Sequence, residues 1–521
     1  MIKLTAAVGI KRSILGVSGV ILFSKLLGFL REMVIAERFG TSHYYDVLLI
    51  GIAAPVFFNM VLVNATNLLM VPLLSRRMAS GDEADGWRHF WALFNSLLSI
   101  VILIMIGVII AAPYLVRLVG PSLQLEDFSR GVFYCRLISV LVLLGFLESF
   151  LRSALNVKKE FIYPATGIII LNITAIAAIY IFSREFSVMS ILLGLIAGTL
   201  FQDIYLFLRL LGFNILRYFH AQFFPNDIRH AFAAAGIIVL VEFLSRTYFM
   251  IDRYFASGMA SGVVSALNYG NLLILLPVSV AAFAISAVTF PYLSDRAGEK
   301  QTAEFGYLLH KTLRASLVIG IPCGIFYLLF ARDLTAAVFL RGAFDTTSLA
   351  VTSKIVILLA PLLTCLFIST ILIQACYAAG KQVAVLIVAV LAIVVKFFST
   401  AILSKYFDYP GIALSTTITG IMTVALTMLI LSRSRRLTEI GDLFSAVVKI
   451  SAASLPIAAL GYFYSRLPEF EKGMSLLVRF RVVPAIAISF VLFLAIGYII
   501  KLQEVREALG YLMKGKWGTR P

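Results

Sequence analysis

Residues 254–294 read YFASGMASGVVSALNYGNLLILLPVSVAAFAISAVTFPYLS, without a single Asp, Glu, Lys or Arg. A helix needs about 20 mostly apolar residues to cross a bilayer, and this run is longer. Pro277 and Pro291 lie inside it. Each costs a straight helix about 3 kcal/mol, so the pattern predicts a bent span. Charge-free runs recur at 47–75, 89–116, 161–183, 355–380, 409–432 and 482–500. Segments with one or two charges bring the total to fourteen predicted spans. They fall near 13–36, 44–75, 89–113, 131–155, 162–183, 187–212, 230–252, 264–293, 309–331, 353–379, 382–404, 409–432, 445–465 and 480–501.

Composition agrees. Of 521 residues, 61% are apolar and 14% charged, with mean hydropathy +0.98. Soluble domains carry about 25% charge, so too few polar side chains remain to cover a water-facing surface. A soluble enzyme and a disordered chain are excluded, and the expected fold is an all-α polytopic membrane protein. The 44 Lys and Arg against 27 Asp and Glu do not indicate nucleic acid. The bases cluster in short links, as at Arg76/Arg77, Lys158/Lys159 and Arg433/Arg435/Arg436, the pattern that orients helices in a membrane. A roughly twofold excess of Lys and Arg in the tails and even-numbered links predicts that both termini are cytoplasmic. Cys135, Cys323, Cys365 and Cys376 sit singly in apolar runs, as small core residues do. Lys25 and Arg31 interrupt the first apolar run, so it is expected to be a retained helix rather than a cleaved signal.

Two internal echoes run in the same direction. ERFGTS…P…VPLLSRR over 37–77 matches RYFASG…P…FPYLSDR over 253–296, and a span, short link and Gly-led span over 155–210 return over 377–432. They predict two parallel six-helix lobes: 1–220 (spans 1–6) and 221–436 (spans 7–12). Residues 437–521 would add a C-terminal helix pair and a cytoplasmic tail. Duplicated lobes are common in transporters, with substrate bound between them near the midplane.

Charges inside spans are costly and usually functional. Span 1 is the densest, with Ser24, Lys25, Arg31 and Glu32 in SKLLGFLRE. Lys25 and Arg31 are about 120° apart around a helix, so both can border one wide cavity. There they would attract a pyrophosphate, Arg as a bidentate fork and Lys as a point charge. The competing reading is snorkelling to the interface. In span 7, Glu242 and Arg246 are four apart and can pair. Lys396 is alone in VAVLIVAVLAIVVKFF and needs a partner, for which Glu242 is a candidate. Glu148/Arg152 and Asp252/Arg253 read as boundary pairs, and Asp46 as a charge at a helix start. The five histidines are scattered, with no metal-ligand spacing, and no nucleotide-binding or catalytic motif stands out. Neither enzyme activity nor a cofactor or metal is expected.

The chain resembles the MurJ/MviN family of lipid II flippases, within the multidrug/oligosaccharidyl-lipid/polysaccharide exporter superfamily. The pieces that carry the likeness are SKLLGFLREMVIAERFGTSHYYDVLLIGIAAP (24–55), SALNYGNLLILLPVSVAAFAISAVTFPYLS (265–294) and LRGAFDTTS (340–348). The resemblance implies fourteen helices and a C-terminal pair beside a lipid-accessible groove. It also implies export of an undecaprenyl-pyrophosphate-linked glycan, for peptidoglycan synthesis, across the bacterial inner membrane. By the same likeness, Ser24, Arg31 and Asp46 match polar positions of the family, and Lys25 stands where the family usually has Arg. Asn59 and Asn64 replace an Arg and a Glu. Asn271 and Leu272 replace an Asp-Arg pair, and Leu275 stands where an acid is frequent. The expected substrate-binding set is therefore Ser24, Lys25, Arg31, Asp46, Asn59, Asn64 and Asn271. In some members a sodium ion sits among helices 7, 11 and 12, so Glu242 and Lys396 are the expected ion-coupling or buried pair, with the ammonium in the ion's place. The expected partners are the lipid-linked glycan, membrane lipids and a monovalent ion, around a monomer.

Three other readings stay open: a flippase for another lipid-linked oligosaccharide such as an exopolysaccharide or O-antigen, an ion-coupled exporter of soluble cations, and a membrane glycan polymerase or ligase. The second favours an acidic cavity, whereas the visible charges are basic. The third needs large outer loops, and the longest outer link, 332–352, is short.

Overall fold

A computed structural model describes residues 2–79, 83–219, 226–298, 302–434, 440–465 and 481–507. These residues are helical almost throughout, with no strand among them. The helices are α1 (Ile2–Phe39), α2 (His43–Gly51), α3 (Ala53–Ala79), α4 (Glu83–Val119), α5 (Leu125–Ile138), α6 (Val140–Val157), α7 (Ile162–Phe186), α8 (Met189–Leu211) and α9 (Asn226–Ala256). They continue as α10 (Val263–Pro277), α11 (Phe283–Asp295), α12 (Thr302–Phe339), α13 (Thr346–Ala378), α14 (Gln382–Phe407), α15 (Tyr409–Arg433), α16 (Ile440–Ala453), α17 (Leu455–Ser465) and α18 (Val482–Ile499). Among the described residues, eleven helices are long and apolar enough to cross a membrane, or twelve with the bent α2–α3 pair. The two other expected spans fall in α1 and α9, of 38 and 31 residues. The chain is an all-α polytopic membrane protein, as its hydropathy predicts.

The breaks follow from the sequence. α2 and α3 meet at 46°, where Pro55 cannot donate to the Gly51 carbonyl. Gly51 also makes the bend possible by packing, since a methyl group there would lie 2.7 Å from the Gly131 carbonyl oxygen on α5. Pro277 ends α10, and a π-helical turn over Val278–Ala282 precedes α11, the bend expected in span 8. The joint between α5 and α6 has no proline; there the Ser139 hydroxyl donates to the Cys135 carbonyl at 2.6 Å.

Two pairs of links adopt matching backbone conformations. Lys159, between α6 and α7, and Gly380, between α13 and α14, both have positive φ, at 63° and 70°. Ser187, between α7 and α8, and Asp408, between α14 and α15, adopt nearly one conformation, at φ 47° and 56° with ψ −135° and −142°. Both pairs are 221 residues apart. The α7–α8 hairpin closes through small residues: a methyl group on Gly194 would meet Ala175 Cα at 3.0 Å, and one on Gly198 the Leu171 carbonyl oxygen at 2.7 Å. Shifted by 221, Ala175 and Gly194 become Lys396 and Ser415 on α14 and α15. The second hairpin thus replaces a close backbone approach with a polar contact.

The chain divides into two compact units, Met1–Ser261 and Gly262–Pro521. α9, the first span of the expected second lobe, packs on α3 and α4 and falls in the first unit. In that unit an aromatic core gathers Trp87, Phe90, Trp91, Phe146 and Phe150, and the Trp91 indole donates to the Ile215 carbonyl at 2.9 Å. In the second unit, α18 and the segment after it lie along α12. Arg314 pairs with Glu504, Lys311 with Glu507 at 3.5 Å, and Arg481 with Asp333 at 2.6 Å.

Candidate functional site

In the first unit, α1 lies against α7. Ser24 is 2% exposed and turns back on its own helix, donating to the Ile21 carbonyl at 2.7 Å. Lys25, next to it, is exposed. Arg31 is half-buried, with 21% of its side chain exposed. Its Nη2 meets Glu32 Oε1 at 2.7 Å and its Nη1 donates to Asn172 Oδ1 on α7 at 3.3 Å. Gly28, one turn earlier, faces the same amide: a methyl group there would make ordinary contact with Asn172 Oδ1 at 3.7 Å. The guanidinium is therefore oriented by two partners and still partly open. Asp46 is buried in the first turn of α2, at the positive end of its dipole.

On α3, Asn59 caps Gly145 of α6 so closely that a methyl group there would overlap its Oδ1. That oxygen has no hydrogen-bond donor among the described residues. Asn64 Nδ2 donates to Glu242 Oε1 on α9 at 2.6 Å, and Glu242 also holds Arg246, with Nη2 at 2.7 Å. The Phe57 and Phe243 rings meet edge to face at 4.7 Å across the same two helices. The span-7 pair is formed as the spacing predicts, and Asn64 becomes its third member.

In the second unit, the half-buried Asn271 donates to the Leu267 carbonyl at 2.9 Å. Lys396 is fully buried. Its Nζ donates to the Ile412 carbonyl at 3.3 Å, Ser415 Oγ at 2.9 Å and Thr416 Oγ1 at 2.5 Å. Thr400 adds a hydroxyl contact to Ser415 at 2.7 Å. These bonds of Lys396, and those of Glu242 given above, lie each within its own unit.

Sequence reasoning missed several polar residues. Asn172 orients Arg31. Asn67 accepts from Ser153 at 3.1 Å, and Gln202 Nε2 donates to Glu148 at 3.1 Å. Glu148 and Arg152 pair as predicted, with Nε at 2.7 Å, and Gln202 joins them from α8. Beside Gln202, Asp203 is buried inside span 6, where an acid in an apolar run was signal enough. A cleft of about 720 Å³ lined by Tyr44, Arg130, Tyr134 and Phe186 contains none of the predicted residues.

Known proteins sharpen this. A solved structure described as "Lipid II flippase MurJ, inward closed conformation" superposes with TM-score 0.78 at 21% identity, covering 94% of this chain and all of that one. A second, an inward-facing multidrug resistance MATE family transporter of the MOP superfamily, gives 0.61 at 14% identity over 80% of this chain and 96% of its own. Both likenesses show the class of fold, the helical fold that these two transporters share. Within it, the model of the family described as "Lipid II flippase MurJ" matches residues 35–480, and the chain belongs to that family. A relative from Buchnera aphidicola subsp. Acyrthosiphon pisum, described as "Probable lipid II flippase MurJ", is 25% identical over 416 residues, 78% of this chain and 81% of the relative.

Proposed function

We propose that the protein flips an undecaprenyl-pyrophosphate-linked glycan, lipid II, from the cytoplasmic to the periplasmic leaflet of the bacterial inner membrane, for peptidoglycan synthesis. Family membership over residues 35–480 carries the reading. The partly open guanidinium of Arg31, oriented by Glu32 and Asn172, supports it, because a diphosphate needs a fixed bidentate donor. Lys25 adds charge, and Ser24, Asp46, Asn59 and Asn64 in the first unit and Asn271 in the second are the remaining head-group candidates. The two repeats, 1–220 and 221–436, alternate access while the prenyl tail stays in lipid beside the C-terminal pair. Both termini are cytoplasmic.

Substrate shifts the two states only by binding them differently, so net transport needs another source of free energy. The membrane potential supplies about 2.3 kcal/mol per charge per 100 mV. Lys396 occupies the place of a coupling cation. Its ammonium is surrounded by a carbonyl and two hydroxyls, neutral oxygens of the kind that hold a monovalent ion, so transport runs without sodium.

The decisive experiment is complementation of a bacterial strain depleted of its own lipid II flippase. Rescue of growth supports lipid II. Failure with normal membrane expression redirects the reading to another lipid-linked oligosaccharide, which the loss of family charges at Asn59, Asn64, Asn271, Leu272 and Leu275 favours.

A further inference from the structure

In the N-terminal unit, three buried acceptor oxygens on neighbouring residues have no donor. Asp203 on α8 is 6% exposed, and neither of its carboxylate oxygens has a hydrogen-bond partner among the described residues. Gln202 Oε1 is likewise buried without a donor. The cation of the neighbouring helix, Arg152 on α6, is already bound to Glu148. Glu148 also accepts from Gln202, and its negative charge bears on Asp203.

Among the described residues, no other element supplies a partner. On α8, Arg209 is taken by Glu160 and lies over the Tyr163 ring, and Tyr205 is the remaining titratable group. The titratable groups of α7 are Tyr163 and Tyr180 with Arg184 and Glu185 at its last turn. Those of α5 are Glu126, Asp127, Arg130, Tyr134, Cys135 and Arg136, and the short helix Ile215–Tyr218 brings Arg217 and Tyr218. None of them hydrogen-bonds Asp203.

Asp203 lies eight residues before the end of α8, about 12 Å of helix, well inside the apolar span. An ionised carboxylate left there without a partner, beside a second acid, is a very costly arrangement. One bound proton removes the charge and turns an acceptor into a donor. A metal cation is a poorer match. It needs several oxygens converging from one direction to replace its water, whereas Gln202 and Asp203 point about 100° apart on their helix and Glu148 is already occupied. A proton needs one oxygen.

We propose that Asp203 is a proton-binding site, with Glu148 as its electrostatic partner, and that its proton is exchanged during the transport cycle. Binding stands on the geometry of α6 and α8; the role in the cycle rests on the transport reading above.

The test is infrared difference spectroscopy of the purified full-length protein during pH steps, with proton release measured in parallel. The expected result is a carboxylic-acid C=O band that titrates in the wild type, disappears in Asp203→Asn and shifts in Glu148→Gln, with proton release in Asp203→Asn lower by about one per chain. Absence of such a band in the wild type, its persistence in Asp203→Asn, or its removal by sodium at constant pH overturns the proposal. The wild-type titration decides even if a variant fails to fold. In proteoliposomes, flipping by Asp203→Asn should lose the pH dependence of the wild type; an unchanged pH profile removes the role in the cycle. If the wild type does not flip lipid II while the band titrates and is lost in Asp203→Asn, the transport reading fails and the proton site stands.

Discussion

Arg31 is held on one side by Glu32 and on the other by an amide 141 residues away. Replacing it with Ala removes the fork and leaves Asn172 to water, so flipping in proteoliposomes should fall at least about tenfold, equivalent to 1.4 kcal/mol of differential binding, with membrane expression unchanged. Lys25→Arg keeps the charge and should be tolerated; wild-type flipping by Arg31→Ala would take Arg31 out of the mechanism. Lys396 makes a second prediction. Lys396→Ala removes a fully buried side chain and its three hydrogen bonds, while Ser415 and Thr416 still donate to the Ile412 carbonyl; each lost bond is worth about 0.5–1.5 kcal/mol net. The variant should unfold at lower temperature in detergent, whereas wild-type flipping should be equal in sodium and potassium. A sodium requirement in the wild type would refute the tethered-cation reading. Both residues were legible as charges inside apolar runs. Their partners were not: Asn172, Ser415 and Thr416 become neighbours only once α1 meets α7 and α14 meets α15. Asp203 escaped because FQDIY reads as one tolerable interruption of span 6.

At the scale of helices, prolines located the bends in spans 2 and 8, since a missing N–H is written in the sequence. The α5–α6 joint, with no proline, and the packing of α9 on α3 depend on neighbours and left no local mark. The bend of span 2 yields a paired prediction. Gly51→Ala sets a methyl group 2.7 Å from a backbone oxygen of Gly131, where no side chain can swing away. It should cost about 1–3 kcal/mol, read as a lower denaturation midpoint. Gly107 on α4 has open space around its Cα hydrogen, so Gly107→Ala should be neutral or stabilising by up to about 1 kcal/mol. Equal midpoints for the two variants would mean that the α2–α5 contact is not tight.

Over the whole chain, hydropathy predicts the all-helical membrane class that the structure has, with eleven or twelve candidate spans among the described residues, and the links at Lys159/Gly380 and Ser187/Asp408 share one spacing. What the sequence left out is which helices pack together within each unit, because packing between apolar faces has little local code. The orientation read from basic links predicts that Ser187→Cys and Asp408→Cys react with an impermeant maleimide applied to intact cells, and that Lys159→Cys does not; these positions are exposed. The reverse labelling would invert the topology and the direction of transport. Most direct is a flipping assay with purified protein in sealed liposomes carrying lipid II, scored by accessibility of the head group from outside. The account predicts transfer by the wild type that Arg31→Ala abolishes. Equal transfer by both, or none by a correctly folded wild type, would contradict it.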